Sequence, residues 1–194
     1  MLELGNAGSI PINLNVHGIF NVYNALAAAA VSFSLGVPMN EIKAALDGYS
    51  GFPMRFEVIR ENGITLINDS YNANPASMTE SIKELVSMGA GGRVVAALGD
   101  MKELGEFSEE AHREIGRFLP EAGVDVFVAV GDMMGLAARE SEKSGKMSGV
   151  FLFRDVEEAG KEIMKILDQG DTILIKGSRS MAMEKIIRSI RNVI

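Results

Sequence analysis

The chain has no cysteine and no tryptophan, and its 194 residues include only two histidines. Without cysteine there is neither a disulfide framework nor a thiolate metal site. The histidines, His17 and His112, lie far apart and form no His-x-x-x-His spacing, so no metal site is expected from this chain alone. Basic residues are outnumbered, 19 against 26, and the net charge of −7 contains no block of one sign. That excludes the basic face a nucleic-acid partner needs. Long apolar runs are also missing. The longest, Ala25 to Val37, is broken by Ser32, Ser34 and Gly36, short of the roughly 20 residues that cross a bilayer. The opening Met1-Leu2-Glu3-Leu4-Gly5-Asn6 lacks the basic and apolar regions of a signal peptide. A cytoplasmic protein with no membrane partner is expected. There is no Gly-x-Ser-x-Gly elbow, hence no support for serine hydrolase chemistry. There is no P-loop either, because Gly145-Lys146 is followed by Met147 and Gly160-Lys161 by Glu162.

What is present suits a globular protein of one or two domains, 47% hydrophobic and 23% charged. Ile10 to Val16 alternates apolar and polar like a half-buried strand. Such a strand must pair with the later sheet or with strands outside this sequence. The alanine-rich stretch from Gly18 predicts a helix ending at Gly36, and Ile42, Ala45 and Leu46 define a second, shorter one. Asn21 and Asn24, three apart, share a face near the first helix start. Capping and surface exposure are the ordinary readings there, and ligand contact is the other. Tyr49-Ser50-Gly51-Phe52-Pro53 reads as a hinge, placing a domain boundary between 51 and 52.

Beyond the hinge, Arg55–Ile59 and Ile64–Asn68 flank Asn62-Gly63, a hairpin signal. Strands are then predicted at 93–98, 124–130, 150–153 and 172–175, alternating with helices. Asn74 and Pro75 open one helix, Ser108 is expected to cap a second, and Asp155 with Glu158 a third. This alternation implies an α/β fold with a Rossmann-like, doubly wound, mostly parallel sheet over 52–194. A mainly helical segment, 1–51, precedes it.

In such a sheet the strand-to-helix loops gather at one edge, where ligands bind. Four loops carry candidates there: Asp69 to Asn74, Gly99 to Gly105, Gly131-Asp132 and Lys176 to Ser180. In the last, Lys176 and Arg179 flank Gly177 and Ser178 at an expected helix start, a combination that favours an anion. A capped turn with solvated cations is the ordinary alternative. Asp100, at a strand end, could meet a cation or an amine. The twelve methionines read as core filler.

Three stretches resemble the Mur ligase family: Asp69-Ser70-Tyr71-Asn72-Ala73-Asn74-Pro75-Ala76-Ser77-Met78, Leu98-Gly99-Asp100-Met101-Lys102-Glu103-Leu104-Gly105, and Lys176 to Glu184. Phe20-Asn21-Val22-Tyr23-Asn24-Ala25-Leu26-Ala27-Ala28 resembles the family's Asn-x-x-Asn-Ala-Leu-Ala-Ala helix. Within the family the loop at Asp69 is similar to that of the ligases adding D-alanyl-D-alanine to UDP-N-acetylmuramoyl-tripeptide. Phe20 departs from them, since they usually carry histidine there. Phenylalanine is more typical of the sister ligase that adds the third peptide residue, but that sister's Asp-Tyr-Ala-His loop is absent.

The resemblance implies that 1–51 is the C-terminal end of a central ATPase domain and that 52–194 is the C-terminal Rossmann-like domain. It implies an ATP-dependent ligase of peptidoglycan precursor synthesis, using Mg2+ held outside these residues. The tripeptide carboxylate is phosphorylated to an acyl phosphate, which the dipeptide amine attacks. By resemblance, Asn21 and Asn24 meet the adenine side of ATP, and Arg55 and Asp69 its ribose and phosphates. Tyr71, Asn72 and Asn74 would help place ATP or the dipeptide. Asp100, Lys176, Ser178 and Arg179 fall to the substrate, the last three to the dipeptide carboxylate or the transferred phosphate. The implied partners are these substrates and the missing N-terminal and central domains. The fragment alone is expected to be inactive and to bind no cofactor tightly. A standalone Rossmann-like module binding a small anion or nucleotide is the alternative.

Overall fold

The computed structural model describes residues 2–3, 8–89 and 91–193. By internal contacts the chain divides into two compact units, 1–52 and 53–194.

The first unit holds a two-residue ladder, β1 (Leu2–Glu3) with β2 (Ser9–Ile10), and two helices, α1 (Ile19–Ser34) and α2 (Met39–Asp47). The long strand expected over 10–16 does not form. Pro11 offers no N–H, and the residues after it bond to the end of α2 instead. Asn13 N–H donates to Asp47 Oδ1 at 2.8 Å, Asn15 Nδ2 to the Asp47 carbonyl at 2.6 Å, and Lys43 Nζ to the Pro11 carbonyl at 2.8 Å. Among the described residues, this unit's core cluster buries Leu2, Ala29 and Ile42, with Ile10, Ile12, Val37 and Leu46 partly buried against them. Along α1 and at its C-cap, Tyr23, Val31 and Leu35 stand 67%, 60% and 78% exposed.

The second unit is one six-stranded sheet, in the order β3 (Glu57–Glu61), β4 (Ile64–Asp69), β8 (Thr172–Lys176), β5 (Val94–Gly99), β6 (Val126–Val130) and β7 (Gly149–Phe153). Only β3 runs antiparallel. The β3–β4 turn uses positive φ at both Asn62 and Gly63, the backbone a tight hairpin needs. Helices α3 (Pro75–Met88), α4 (Ser108–Ala122) and α5 (Asp132–Glu142) pack together, and α6 (Val156–Ile166) packs with α7 (Glu184–Val193). The chain steps outward from β5 through β6 to β7, then returns by α6 to place β8 between β4 and β5. Right-handed crossovers put outward and return helices on opposite faces. One face buries Leu66, Val95, Val128, Ile173 and Ile175 against Ile163, Ile186 and Ile190. At Gly116 the backbones of α4 and α5 come so close that a Cβ there would lie 2.2 Å from the Ala137 carbonyl oxygen.

Helix starts mostly follow the sequence reading. Asn74 caps α3 with Pro75 at the first turn, and Ser77 returns the bond in a capping box. Asp155 caps α6, while Glu158 reaches back to the Arg154 N–H rather than to Asp155. Ser108 is not a cap. A 3-10 turn over Gly105–Phe107 precedes it, making Ser108 the first residue of α4.

Candidate functional site

Because β4, β8, β5, β6 and β7 are parallel, the loops after them leave one edge of the sheet. At its centre the chain leaving β8 turns to the α6–α7 face, whereas those leaving β4 and β5 turn to the other. This divergence creates the crevice in which open α/β sheets hold ligands. Its walls are the loops 70–74, 100–104 and 177–183.

The β4 loop is built around Asp69. Its neighbour in register is Lys176 on β8, and Lys176 Nζ lies 2.6 Å from Asp69 Oδ2 with the lysine side chain 3% exposed. Oδ2 also accepts the Ser81 hydroxyl at 2.7 Å, and Oδ1 accepts the Phe56 N–H at 3.1 Å. Lys176 Nζ donates a second bond, 3.2 Å, to the Asn72 carbonyl. Asp69 and Lys176, both read from sequence as ligand contacts, are thus spent largely on each other and on holding the loop. Asn74 is similarly committed, since its Oδ1 accepts the Ser77 N–H at 2.8 Å. Tyr71, Asn72 and Asn74 are the exposed residues of the loop, and Asn72 Oδ1 accepts the Ala73 N–H at 2.9 Å, leaving its Nδ2 toward solvent. Arg55 lies over the Tyr71 ring, 4.0 Å from guanidinium carbon to centroid, a cation–π geometry.

The β5 and β8 loops are stitched together. Ser178 N–H donates to the Asp100 carbonyl at 3.1 Å, and Ser178 Oγ accepts the Lys102 N–H at 2.8 Å. The buried Asp100 carboxylate accepts the Met134 N–H at 2.8 Å and pairs with Lys102 Nζ at 2.9 Å. It therefore caps α5 from the neighbouring strand end, where Gly131 has no side chain to do so. The cation foreseen for Asp100 is Lys102. His112, fully buried, accepts the Met101 N–H at Nε2 (2.9 Å), so its proton sits on Nδ1, facing the Ser108 carbonyl at 2.6 Å. It tethers the β5 loop to α4.

The expected helix start at Lys176–Ser180 is not observed. The segment passes through a 3-10 turn, Arg179–Met181, and a left-handed Ala182 before α7 begins at Glu184. Arg179 instead bridges to Glu184 with both terminal nitrogens and donates to the Ser70 carbonyl at 3.3 Å. Hydrogen bonding from Glu184 pushes the Arg179 guanidinium up. Burial pushes the Glu184 carboxyl up, but bonds from Arg179 and the backbone outweigh it and hold the group below its ordinary range. Arg179 remains about half exposed on the crevice side.

In the first unit, Asn21 does not cap α1, whose N-cap is Gly18. Its Nδ2 reaches back to the His17 carbonyl at 2.7 Å, and Asn24 Nδ2 donates to Asn21 Oδ1 at 3.3 Å. Asn24 is exposed.

Sequence reading passed over Glu57, Asn68, Ser81, Lys102 and Glu184. The bonds that give them a role in the site join positions well apart in sequence for three of the contacts: Glu57 with Asn68, 11 apart, Ser81 with Asp69, 12 apart, and the Lys102 N–H with Ser178, 76 apart.

The second unit is thus a Rossmann-like α/β domain whose sheet edge carries two exposed arginines, a tyrosine and an asparagine. The family described as "Mur ligase, glutamate ligase domain" matches residues 54–179. The chain belongs to the Mur ligase family. Over 189 residues it is 39% identical to UDP-N-acetylmuramoyl-tripeptide--D-alanyl-D-alanine ligase of Escherichia coli, covering 95% of this chain and 40% of that protein. The fold superposes on MurF from Acinetobacter baumannii with a TM-score of 0.86 at 31% identity, covering 95% and 40%. It superposes on MurF ligase from Thermotoga maritima in complex with ADP at 0.76 and 26%, covering 91% and 39%. The chain spans about 40% of the length of these relatives. Among the described residues no helix is long and apolar enough to cross a membrane.

Proposed function

We propose that these residues are the C-terminal part of an ATP-dependent ligase that joins D-alanyl-D-alanine to UDP-N-acetylmuramoyl-tripeptide in peptidoglycan precursor synthesis. The single observation that carries this reading is the edge crevice of the second unit. There Arg55 on Tyr71, Arg179 and Asn72 are exposed, and the charged groups around them are already neutralised by internal partners. In this reading Arg55 and Arg179 meet anionic oxygens of the nucleotide or the dipeptide, because guanidinium groups suit phosphate and carboxylate, and Tyr71 backs Arg55 and offers its hydroxyl as a hydrogen-bond donor. Asn72 supplies amide hydrogen bonds. Asp69, Asn74, Asp100, Lys176 and Ser178 hold the loops in place. In the first unit, Asn24 and Asn21 offer a paired amide for a nucleobase edge.

The reaction is a two-step amide synthesis. A carboxylate oxygen of the tripeptide displaces ADP from the γ-phosphorus, giving an acyl phosphate. The dipeptide amine then attacks the acyl carbon, the C–O bond to phosphate breaks, and the amine loses its proton. The residues described contribute positioning and charge stabilisation. Among them no three His, Asp or Glu side chains gather as a metal site. Magnesium in this reading is held by segments outside these residues, as is the nucleotide triphosphate tail that a P-loop would cradle.

The absence of a P-loop sequence keeps a second reading alive, a standalone module that binds a nucleotide or small anion without catalysis. One experiment separates the two. The native reading frame containing these residues is assayed with ATP, Mg2+, the tripeptide precursor and D-alanyl-D-alanine, beside the 194-residue chain. Ligation by the longer frame and none by the 194-residue chain is expected. A frame that begins at Met1 without an upstream P-loop, or turnover by the 194 residues alone, overturns the ligase-fragment reading.

A further inference from the structure

The segment before β3 carries a backbone feature that the proposed chemistry does not use. Met54 and Phe56 have positive φ, 63° and 53°, although neither is glycine. L-residues avoid this region because Cβ crowds the carbonyl oxygen, and such residues persist only where their surroundings over-determine them. Here the surroundings include the burial of Phe56 and three hydrogen bonds. Met54 N–H donates to Glu57 Oε2 at 3.2 Å, Phe56 N–H to Asp69 Oδ1 at 3.1 Å, and the Met54 carbonyl accepts the Tyr71 N–H at 3.1 Å. Glu57 is itself held, since Oε2 also accepts Asn68 Nδ2 at 3.0 Å, and Asn68 Oδ1 accepts the Ser70 hydroxyl at 2.7 Å. Between the two left-handed residues stands Arg55, exposed, over Tyr71. The two reversals set the direction of the Arg55 Cα–Cβ bond, and the third bond ties the same peptide to the residue whose ring Arg55 covers.

We infer that Glu57, supported by Asn68, is a positioning residue that holds the 54–56 segment in its left-handed bends and thereby sets Arg55 on Tyr71 before any ligand arrives. The inference rests on the proposed role of Arg55 toward an anionic ligand, but its first test does not. Glu57 needs only one accepting oxygen for both of its bonds, so glutamine can replace it and alanine cannot.

In the 194-residue chain, the Arg55 side-chain proton shifts are read by NMR. The Tyr71 ring current moves them upfield while the stack persists. Glu57→Gln should keep that displacement and Glu57→Ala should lose it, with amide dispersion elsewhere unchanged. Asn68→Ala, which keeps Glu57 but removes the Nδ2 bond that holds its carboxylate, should reduce it and guards against a Glu57→Ala chain that fails to fold. An Arg55 shift that survives both Glu57→Ala and Asn68→Ala overturns the inference. In the full-length reading frame, Glu57→Ala should raise the KM for ATP on the order of tenfold with kcat within about twofold, restored by Glu57→Gln. Loss of the ring-current shift with an unchanged KM upholds the positioning of Arg55 and instead sinks its assignment to the nucleotide.

Discussion

Asp69 and Lys176 stand opposite each other on adjacent parallel strands, β4 and β8, and their side chains meet at 2.6 Å beneath the crevice floor. The aspartate keeps two further donors, whereas the lysine has the Asn72 carbonyl as its other acceptor. Breaking a buried pair costs far more than replacing it whole, because one charge is left unpaired. Lys176→Met should therefore destabilise the second unit by about 3 kcal/mol. Lys176→Met combined with Asp69→Asn should cost less than the single change. Urea denaturation with a double-mutant cycle checks this, and additive losses would refute the coupling.

Asp100 caps α5 across the sheet edge. Asp100→Ala should cost about 1–3 kcal/mol, because it orphans the Met134 N–H and frees the Lys102 ammonium. The local signature is faster hydrogen exchange at Met134 and its neighbours. Uniform acceleration across the sheet would point to global loss instead.

The α3 capping box gives a smaller, cleaner effect. Asn74→Ala should destabilise by about 1 kcal/mol, and Asn74→Ser by much less, since serine caps well. Equal losses would mean that Asn74 contributes something other than its cap.

The Glu184 carboxyl is held below its ordinary value of 4.5 in the folded chain by Arg179 and the backbone, against the opposing push of burial. A depressed folded pKa adds stability that is present above 4.5 and is lost as pH falls through the lower folded value. Melting temperature measured between about pH 7 and about pH 3 should fall less steeply at the acid end in Glu184→Gln than in the parent. Parallel curves would remove this pair from the acid response.

Gly116 faces the Ala137 backbone without room for a methyl group. Gly116→Ala must push α4 and α5 apart, at about 1–3 kcal/mol. The measurement is thermal unfolding, and an unchanged melting point would show that the helices can slide.

Local chemistry was the legible part of this chain. Asn62-Gly63 announces its turn because two positive φ values suit those residues, and Asn74-Pro75 announces a helix start because one caps and the other cannot donate. The parallel sheet followed from alternation alone. What stayed hidden were bonds between residues distant in sequence. Nothing near Asp100 shows that it serves a helix 34 residues later. Nothing near Lys176 shows that an aspartate 107 residues earlier occupies it. The strand expected over 10–16 failed for the complementary reason: an alternating pattern needs a partner, and Pro11, Asn13 and Asn15 bond to α2 instead.

The thin core of residues 1–52 has a consequence for how the molecule comes apart. A unit whose cluster rests on Leu2, Ala29 and Ile42 has little apolar area to release cooperatively, while 53–194 encloses a two-faced sheet. Heating or denaturant should reveal two transitions of unequal steepness rather than one. The α1 amides should exchange with solvent long before those of β5, β6 and β8. The exposed rings and branched chains of α1 also make this the part most prone to self-adhesion when the chain is concentrated. Handling the chain in solution is therefore governed by its first quarter, and its resistance to unfolding by the remainder.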